Sequence, residues 1–143
     1  MLHSNQFYLK YIIVAFLLTG VLLATSNSIA GDSIAKEVSL VINGKRLVAS
    51  NIRFSRFDEL TLNAQERIIN KSESKAVIVI VTNQRIIGYG VSSGWRDLKT
   101  EAGETVESIN TEDFAAFVIT DRRYLNFNGE TGIWGKEDKR TER

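Results

Sequence analysis

Apolar residues after Gly31 occur in short runs separated by turn signals, as expected for β-strands. Ala76–Val81 is an unbroken, mostly β-branched apolar run, which predicts a strand buried on both faces. Arg85–Val91 follows after a short turn. Its side chains alternate, with Ile87, Tyr89 and Val91 on one face and Ile86, Gly88 and Gly90 on the other. This alternation predicts a strand with one heavily packed face.

Two more strands are predicted before the pattern starts again. Trp95–Thr100 and Thr105–Asn110 are short segments bounded by Gly-containing turns. The next apolar run, Phe114–Thr120, restarts the cycle. Because no stretch after Gly31 has a helical period, we predict an all-β, antiparallel fold.

The cycle is an internal repeat with a period of about 38–39 residues. Asp58–Gly90 matches Arg96–Asn128 without a gap, and a weaker copy begins at Ile42–Val48. Two sets of residues are thereby equivalent, namely Arg46, Arg85 and Arg123, and Phe57, Trp95 and Trp134. Counting from Glu37, the pattern predicts about eleven strands, or just under three four-stranded repeats.

A four-stranded unit of this length resembles a β-propeller blade. The resemblance is to repeats of exported bacterial proteins, and it covers about Glu37 to Glu137. It depends on the apolar inner strand, the hairpin turn with Asn or Asp, the aromatic-rich third strand and the Trp that opens the outer strand. The WD dipeptide and the kelch double glycine are absent. The resemblance implies a fold and no activity.

Just under three blades do not close a propeller, which typically has four to eight. Either several copies assemble into a ring as a homo-oligomer, or one copy curls into a sandwich or barrel. A third interpretation is that the chain is a relic of a longer repeat protein.

The second resemblance is to a bacterial pleckstrin-homology-like domain, which shares a "T-x-R-hydrophobic" hairpin followed by an aromatic. Such domains end in a helix, whereas Gly135–Arg143 is charged without an apolar stripe.

The N-terminal segment differs from the rest of the chain. Lys10 precedes the apolar stretch Tyr11–Ala24, and the small residues Ser28 and Ala30 follow, a pattern typical of a secretory signal peptide. We therefore predict a signal peptide over residues 1–30, a β-repeat domain over 31–137, a charged tail over 138–143, and a periplasmic or secreted protein. The alternative is a membrane anchor formed by residues 7–24, which is short for a span.

The composition excludes several kinds of chemistry. The chain has no cysteine, and its one histidine is His3, within the predicted signal peptide. A thiolate or histidine metal site and a Ser-His-Asp triad are therefore not expected, and neither is a cofactor. Removal of residues 1–30 would leave equal numbers of acidic and basic residues, which argues against nucleic acid as a partner. We expect a non-catalytic binding module; a membrane-anchored scaffold is the alternative, and a hydrolase is least favoured.

The repeated residues are the candidate ligand-binding positions. Arg46, Arg85 and Arg123 either form a ring of cations or pair with carboxylates of a neighbouring unit, such as Glu66 or Glu104. Phe57, Trp95 and Trp134 either stack on sugars of a glycan or pack between units. A structural role is favoured for both sets. Small and polar residues at Gly88, Gly90, Asn126 and Asn128 indicate a non-core face that could line a groove for a glycan, an envelope component or a protein.

Overall fold

The structure is a computed structural model that describes residues 35–139, and these residues form eleven antiparallel strands and no helix. The predicted all-β fold class is confirmed. The strands are β1 (Val38–Asn43), β2 (Arg46–Asn51), β3 (Arg56–Thr61), β4 (Ile68–Glu73), β5 (Val77–Thr82), β6 (Arg85–Gly90), β7 (Gly94–Lys99), β8 (Val106–Thr111), β9 (Ala115–Thr120), β10 (Arg123–Asn128) and β11 (Ile133–Asp138). The predicted signal peptide or anchor lies outside the described residues. No helix in residues 35–139 has the length and apolarity needed to cross a membrane.

The strands form three separate meander sheets rather than one closed barrel. Sheet A contains β1 to β3, sheet B contains β4 to β7, and sheet C contains β8 to β11, each with neighbouring strands in chain order. The period of the sequence is therefore correct, but its phase is shifted. Thr105–Asn110, predicted as the fourth strand of a unit that starts at Ala76, opens the next sheet as β8 instead.

Two layers of apolar side chains hold the three sheets together. One layer lies between sheets A and B and includes Leu47, Ile80 and Tyr89. The other lies between sheets B and C and includes Ile86 and Phe127. Because β5 contributes to both layers, all six of its residues are buried, as the unbroken apolar run predicts.

The expectation of a non-core face at Gly88 and Gly90 is wrong. Both glycines are buried, and residues of sheet C or of its β10–β11 connection lie directly against them. A Cβ at Gly88 would lie 2.9 Å from the ring of Phe127, and one at Gly90 would lie 1.9 Å from the carbonyl oxygen of Gly129. These residues are small because a neighbouring sheet occupies the space above them.

The equivalent positions Asn126 and Asn128 are exposed, because no sheet lies beyond sheet C in the described residues. Their face, which we call the open face of sheet C, also carries Phe117, Ile119, Tyr124, Ile133 and Gly135. The opposite end of the described residues has the open face of sheet A, which carries Ser39, Val41, Val48, Ser50 and Phe57.

Candidate functional site: the open faces of the terminal sheets

A buried carboxylate and an arginine clamp each of the two complete sheets. In sheet B, Arg85 donates from Nε to Glu66 Oε1 at 2.8 Å and from Nη2 to Oε2 at 3.1 Å. Thr82 Oγ1 and the backbone N–H of Asn63 also donate to this carboxylate, at 2.8 and 2.9 Å. Burial raises the pKa of Glu66, but the hydrogen bonds from Arg85, Asn63 and Thr82 outweigh this effect and leave the pKa below its usual value.

Sheet C repeats the clamp with equivalent residues. Arg123 donates from Nε to Glu104 Oε1 at 2.8 Å and from Nη2 to Oε2 at 2.5 Å. Thr120 Oγ1 and the backbone N–H of Glu101 complete the set, at 2.7 and 2.8 Å. The bond from Arg123 outweighs burial and, with those from Glu101 and Thr120, lowers the pKa of Glu104 to about 2. Arg85 and Arg123 therefore occupy matching settings.

The three repeated arginines do not come together as a cationic ring. Arg85 and Arg123 pair instead with Glu66 and Glu104, the two carboxylates expected from the sequence. Each carboxylate lies in the connection that leads from the preceding sheet into β4 or β8. Arg46 pairs instead with Glu59 on the exposed surface of sheet A. An anion that bound Arg85 or Arg123 would have to displace a buried carboxylate, which leaves an uncompensated charge.

The repeated aromatics divide into two packed residues and one exposed residue. Trp95 lies edge-on to Tyr89, with ring centroids 4.8 Å apart, and its Nε1 donates to the carbonyl oxygen of Asp58 in sheet A at 3.1 Å. Trp134 lies 4.9 Å from Phe127 and packs against the layer between sheets B and C. Phe57 holds the equivalent place in sheet A, yet 72% of its surface is exposed.

A polar bridge joins sheets A and B beside Trp95, and sequence reasoning missed it. Asn51 Nδ2 donates to Tyr89 Oη and to the carbonyl oxygen of Val91, both at 2.7 Å. Tyr89 Oη in turn donates to Asp58 Oδ2 at 2.6 Å. Burial and the bond to Asp58 raise the pKa of Tyr89 to about 12. The only sequence signal was Asn51 at the end of an otherwise apolar strand face.

The open face of sheet C contains a groove of about 380 Å³. The side chains of Phe117 and Tyr124, which are 45% and 52% exposed, line this groove, and the amide of Asn126 lies over the backbone of Gly135. Leu125, Lys136 and Glu137 complete the lining. Aromatic surface with an amide suits an apolar or aromatic group that also makes a hydrogen bond. The repeat could have shown this groove, because Tyr124 replaces the buried Ile86.

A second cavity of about 360 Å³ lies between sheets B and C and is lined mostly by polar residues, among them Asn70, Thr82 and Glu104. The carboxylate of Glu104 is already held by Arg123 and Thr120, so it is not available as a general base. Among residues 35–139, no three acidic or histidine side chains gather as they would at a metal site. The open faces of sheets A and C are therefore the better candidates for a binding site.

Comparison of the chain with known proteins does not assign it to a family. No protein-family model matches the chain, and no curated protein resembles it significantly.

Proposed function

We propose that this chain is an exported, non-catalytic interaction module that binds its partner through the open faces of sheets A and C. The observation that carries the proposal is the exposure of Phe57. Its equivalents Trp95 and Trp134 cover the gap to a neighbouring sheet, whereas Phe57 is 72% exposed at the same register position. A large apolar side chain at a position that packs on a neighbouring sheet elsewhere in the chain, but is exposed here, indicates a surface that a binding partner covers.

The rest of the two faces supports this proposal. Val41 and Phe57 on sheet A, and Tyr124 and Ile133 on sheet C, are each more than half exposed. The equivalents of Val41 and Tyr124 in sheet B, Ile80 and Ile86, are fully buried. Exposed sheet faces of this kind favour association with another protein surface. A stacking platform for glycans is less favoured, because Trp95 and Trp134 already pack between sheets.

We interpret the three sheets as propeller-type blades, since each is a meander that packs face to face on the next. On this interpretation sheet A lacks the first strand that β4 and β8 provide in the other two sheets. The signal-peptide pattern in residues 1–30 supports a location in the periplasm or outside the cell. The mass of the protein recovered from the producing cells tests this point, because cleavage removes about 30 residues. An unshortened, membrane-bound chain would favour the anchored scaffold instead.

In-cell photo-cross-linking tests the binding role. A photoreactive amino acid at Phe57 or at Tyr124 should give defined adducts. The same group at Ile69, which is 63% exposed but lies on β4 outside both faces, should give none. Equal labelling at all three positions, or no adduct at Phe57 and Tyr124, would exclude the open faces as the binding surface.

A further inference from the structure

We propose that the partner of the open face of sheet C is the open face of sheet A from a second copy of this chain, with Phe57 seated over Gly135. This inference rests on the proposed function, because it names the partner of the same two faces. A head-to-tail contact of this kind is heterologous, so it closes into a ring when the rotation between copies allows.

The two interfaces inside the chain already use this contact twice. At the first, sheet A presents Leu47 to the face of sheet B that carries Ile87. At the second, sheet B presents Ile86 to the face of sheet C that carries Leu125. In the repeat, Tyr124 is equivalent to Leu47 and Ile86, and it lies on the open face of sheet C. The open faces are therefore the unused halves of the same interface.

The register places Phe57 on the groove. Trp95 donates its indole hydrogen bond to Asp58, which pairs across β2–β3 with Ala49. In sheet C the same position belongs to Gly135, which pairs with Asn126. Because Phe57 occupies the position of Trp95 in its own sheet, continued stacking sets its ring over Gly135. The groove beside Gly135 has aromatic walls, and the amide of Asn126 lies over Gly135, so the ring of Phe57 would stack on that amide.

The sizes of facing residues are exchanged at this third interface. Inside the chain a small residue accepts a large ring, as Gly88 accepts Phe127. On the open faces the equivalents are Asn126 and Ser50, so the larger residue is now on the other side. One residue of the facing pair is thus still larger than the other, as interdigitating sheets require.

Asn128 is also positioned to donate a hydrogen bond across the proposed interface, as Asn51 does between sheets A and B. Asn51 accepts a bond from the backbone N–H of Phe54 at its Oδ1 and donates from Nδ2 to Tyr89 across the interface. Asn128, its equivalent on sheet C, accepts from the backbone N–H groups of Glu130 and Thr131 at its Oδ1, both at 3.0 Å. Its Nδ2 makes no hydrogen bond within residues 35–139. The residue equivalent to Tyr89 is Ser50, whose hydroxyl can accept that bond.

Two copies joined in this way at both ends would contain six sheets, since each copy contributes three. Six lies within the range of four to eight blades typical of closed propellers. We therefore expect a cyclic dimer that leaves neither open face exposed.

Disulfide trapping tests the contact in a chain that has no cysteine of its own. Phe57→Cys and Gly135→Cys proteins are prepared separately as full chains, mixed and oxidised. The expected result is a covalent dimer in the mixture and little in either protein alone. A covalent dimer of Phe57→Cys alone would overturn the proposal, because it requires two copies of sheet A face to face. The pair Ser50→Cys and Asn126→Cys repeats the test if Gly135→Cys does not fold.

The native mass measured by sedimentation gives an independent test. We expect a dimer that Phe57→Asp weakens by about 30-fold or more, since a charge replaces a central apolar anchor. Ile69→Asp, exposed outside the faces, should leave the mass unchanged. A monomer without inter-copy adducts overturns the second copy as occupant. Cross-links from Phe57 to other proteins would then leave the proposed function standing, whereas no cross-links at all would remove both.

Discussion

The ring of Phe127 lies on the backbone of Gly88, and three of its carbons are 2.9 Å from the place where a Cβ would stand. Together with the approach of Gly129 to Gly90, this contact limits how closely sheets B and C pack. Gly88→Ala should therefore force the two sheets apart and lower the free energy of unfolding by about 1–3 kcal/mol. Urea unfolding followed by tryptophan fluorescence measures the change.

A second substitution separates this steric effect from any change in strand propensity. Phe127→Leu removes the ring edge, so Gly88→Ala should be less destabilising in a Phe127→Leu background than in the natural chain. Additive effects of the two substitutions would show that the ring does not limit the approach of the sheets.

Acid should weaken the fold through the clamp in sheet C. The pKa of Glu104 is about 2 in the folded chain and near its usual value, about 4.3, in the unfolded chain. The folded state therefore binds fewer protons in this range, and stability is lost as the pH falls from about 4.5 towards 2. Urea unfolding over this pH range should show the decline.

Glu104→Gln should remove that part of the pH dependence. At neutral pH it removes the buried charge partner of Arg123, leaves only the exposed Glu101 carboxylate at 3.7 Å, and should cost about 3–5 kcal/mol. Glu59→Gln is the matched control, because Glu59 pairs with Arg46 on the surface. We expect little change in stability from the control, and an equal loss from both variants would contradict a special role for the buried clamp.

Trp95 and Trp134 are equivalent in sequence but differ in one hydrogen bond. Trp95 Nε1 donates to Asp58, whereas Trp134 Nε1 is buried without a partner among the described residues. Replacement by Phe removes a similar ring area at both positions but a hydrogen bond only at Trp95. Trp95→Phe should thus be more destabilising than Trp134→Phe by about 1 kcal/mol in thermal or urea unfolding. The reverse order would show that the indole bond does not stabilise the contact of sheets A and B.

Alkali should act on the polar bridge between sheets A and B. Because the pKa of Tyr89 is raised to about 12, the folded state keeps a proton that the unfolded state loses near pH 10. This contribution to stability is present below about pH 10 and is lost as the pH rises towards 12. An ultraviolet absorbance titration should show one late-ionising tyrosine, which Tyr89→Phe removes while the other transitions remain.

The period, the strand count and the doubly buried strand β5 could be predicted because they depend on local alternation and on self-similarity. The unbroken run from Ala76 to Val81 has no polar side to expose, so burial on both faces follows from its composition. The matching settings of Arg85 and Arg123 follow from the repeat in the same way.

The phase of the repeat and the role of the glycines could not be predicted, because both depend on which sheet lies opposite. A repeated sequence pattern looks the same whichever strand is taken as the start of a unit. The residues of β8 alone therefore do not show that it belongs to sheet C and not to sheet B. Gly88 resembles a residue of an open face until the ring of Phe127 is placed above it. The groove was expected at Asn126, but the part of its lining that β11 supplies was missed, because a short polar strand shows no sign of its neighbours.

The two inner strands of the middle sheet, β5 and β6, are buried on both faces, so solvent reaches them only when a terminal sheet separates. Loss of either terminal sheet exposes one complete apolar face of β5 and β6. The two sheets that remain then end in an exposed apolar surface. Partial opening therefore favours aggregation, and a partner bound at the proposed open faces would also protect the fold against it.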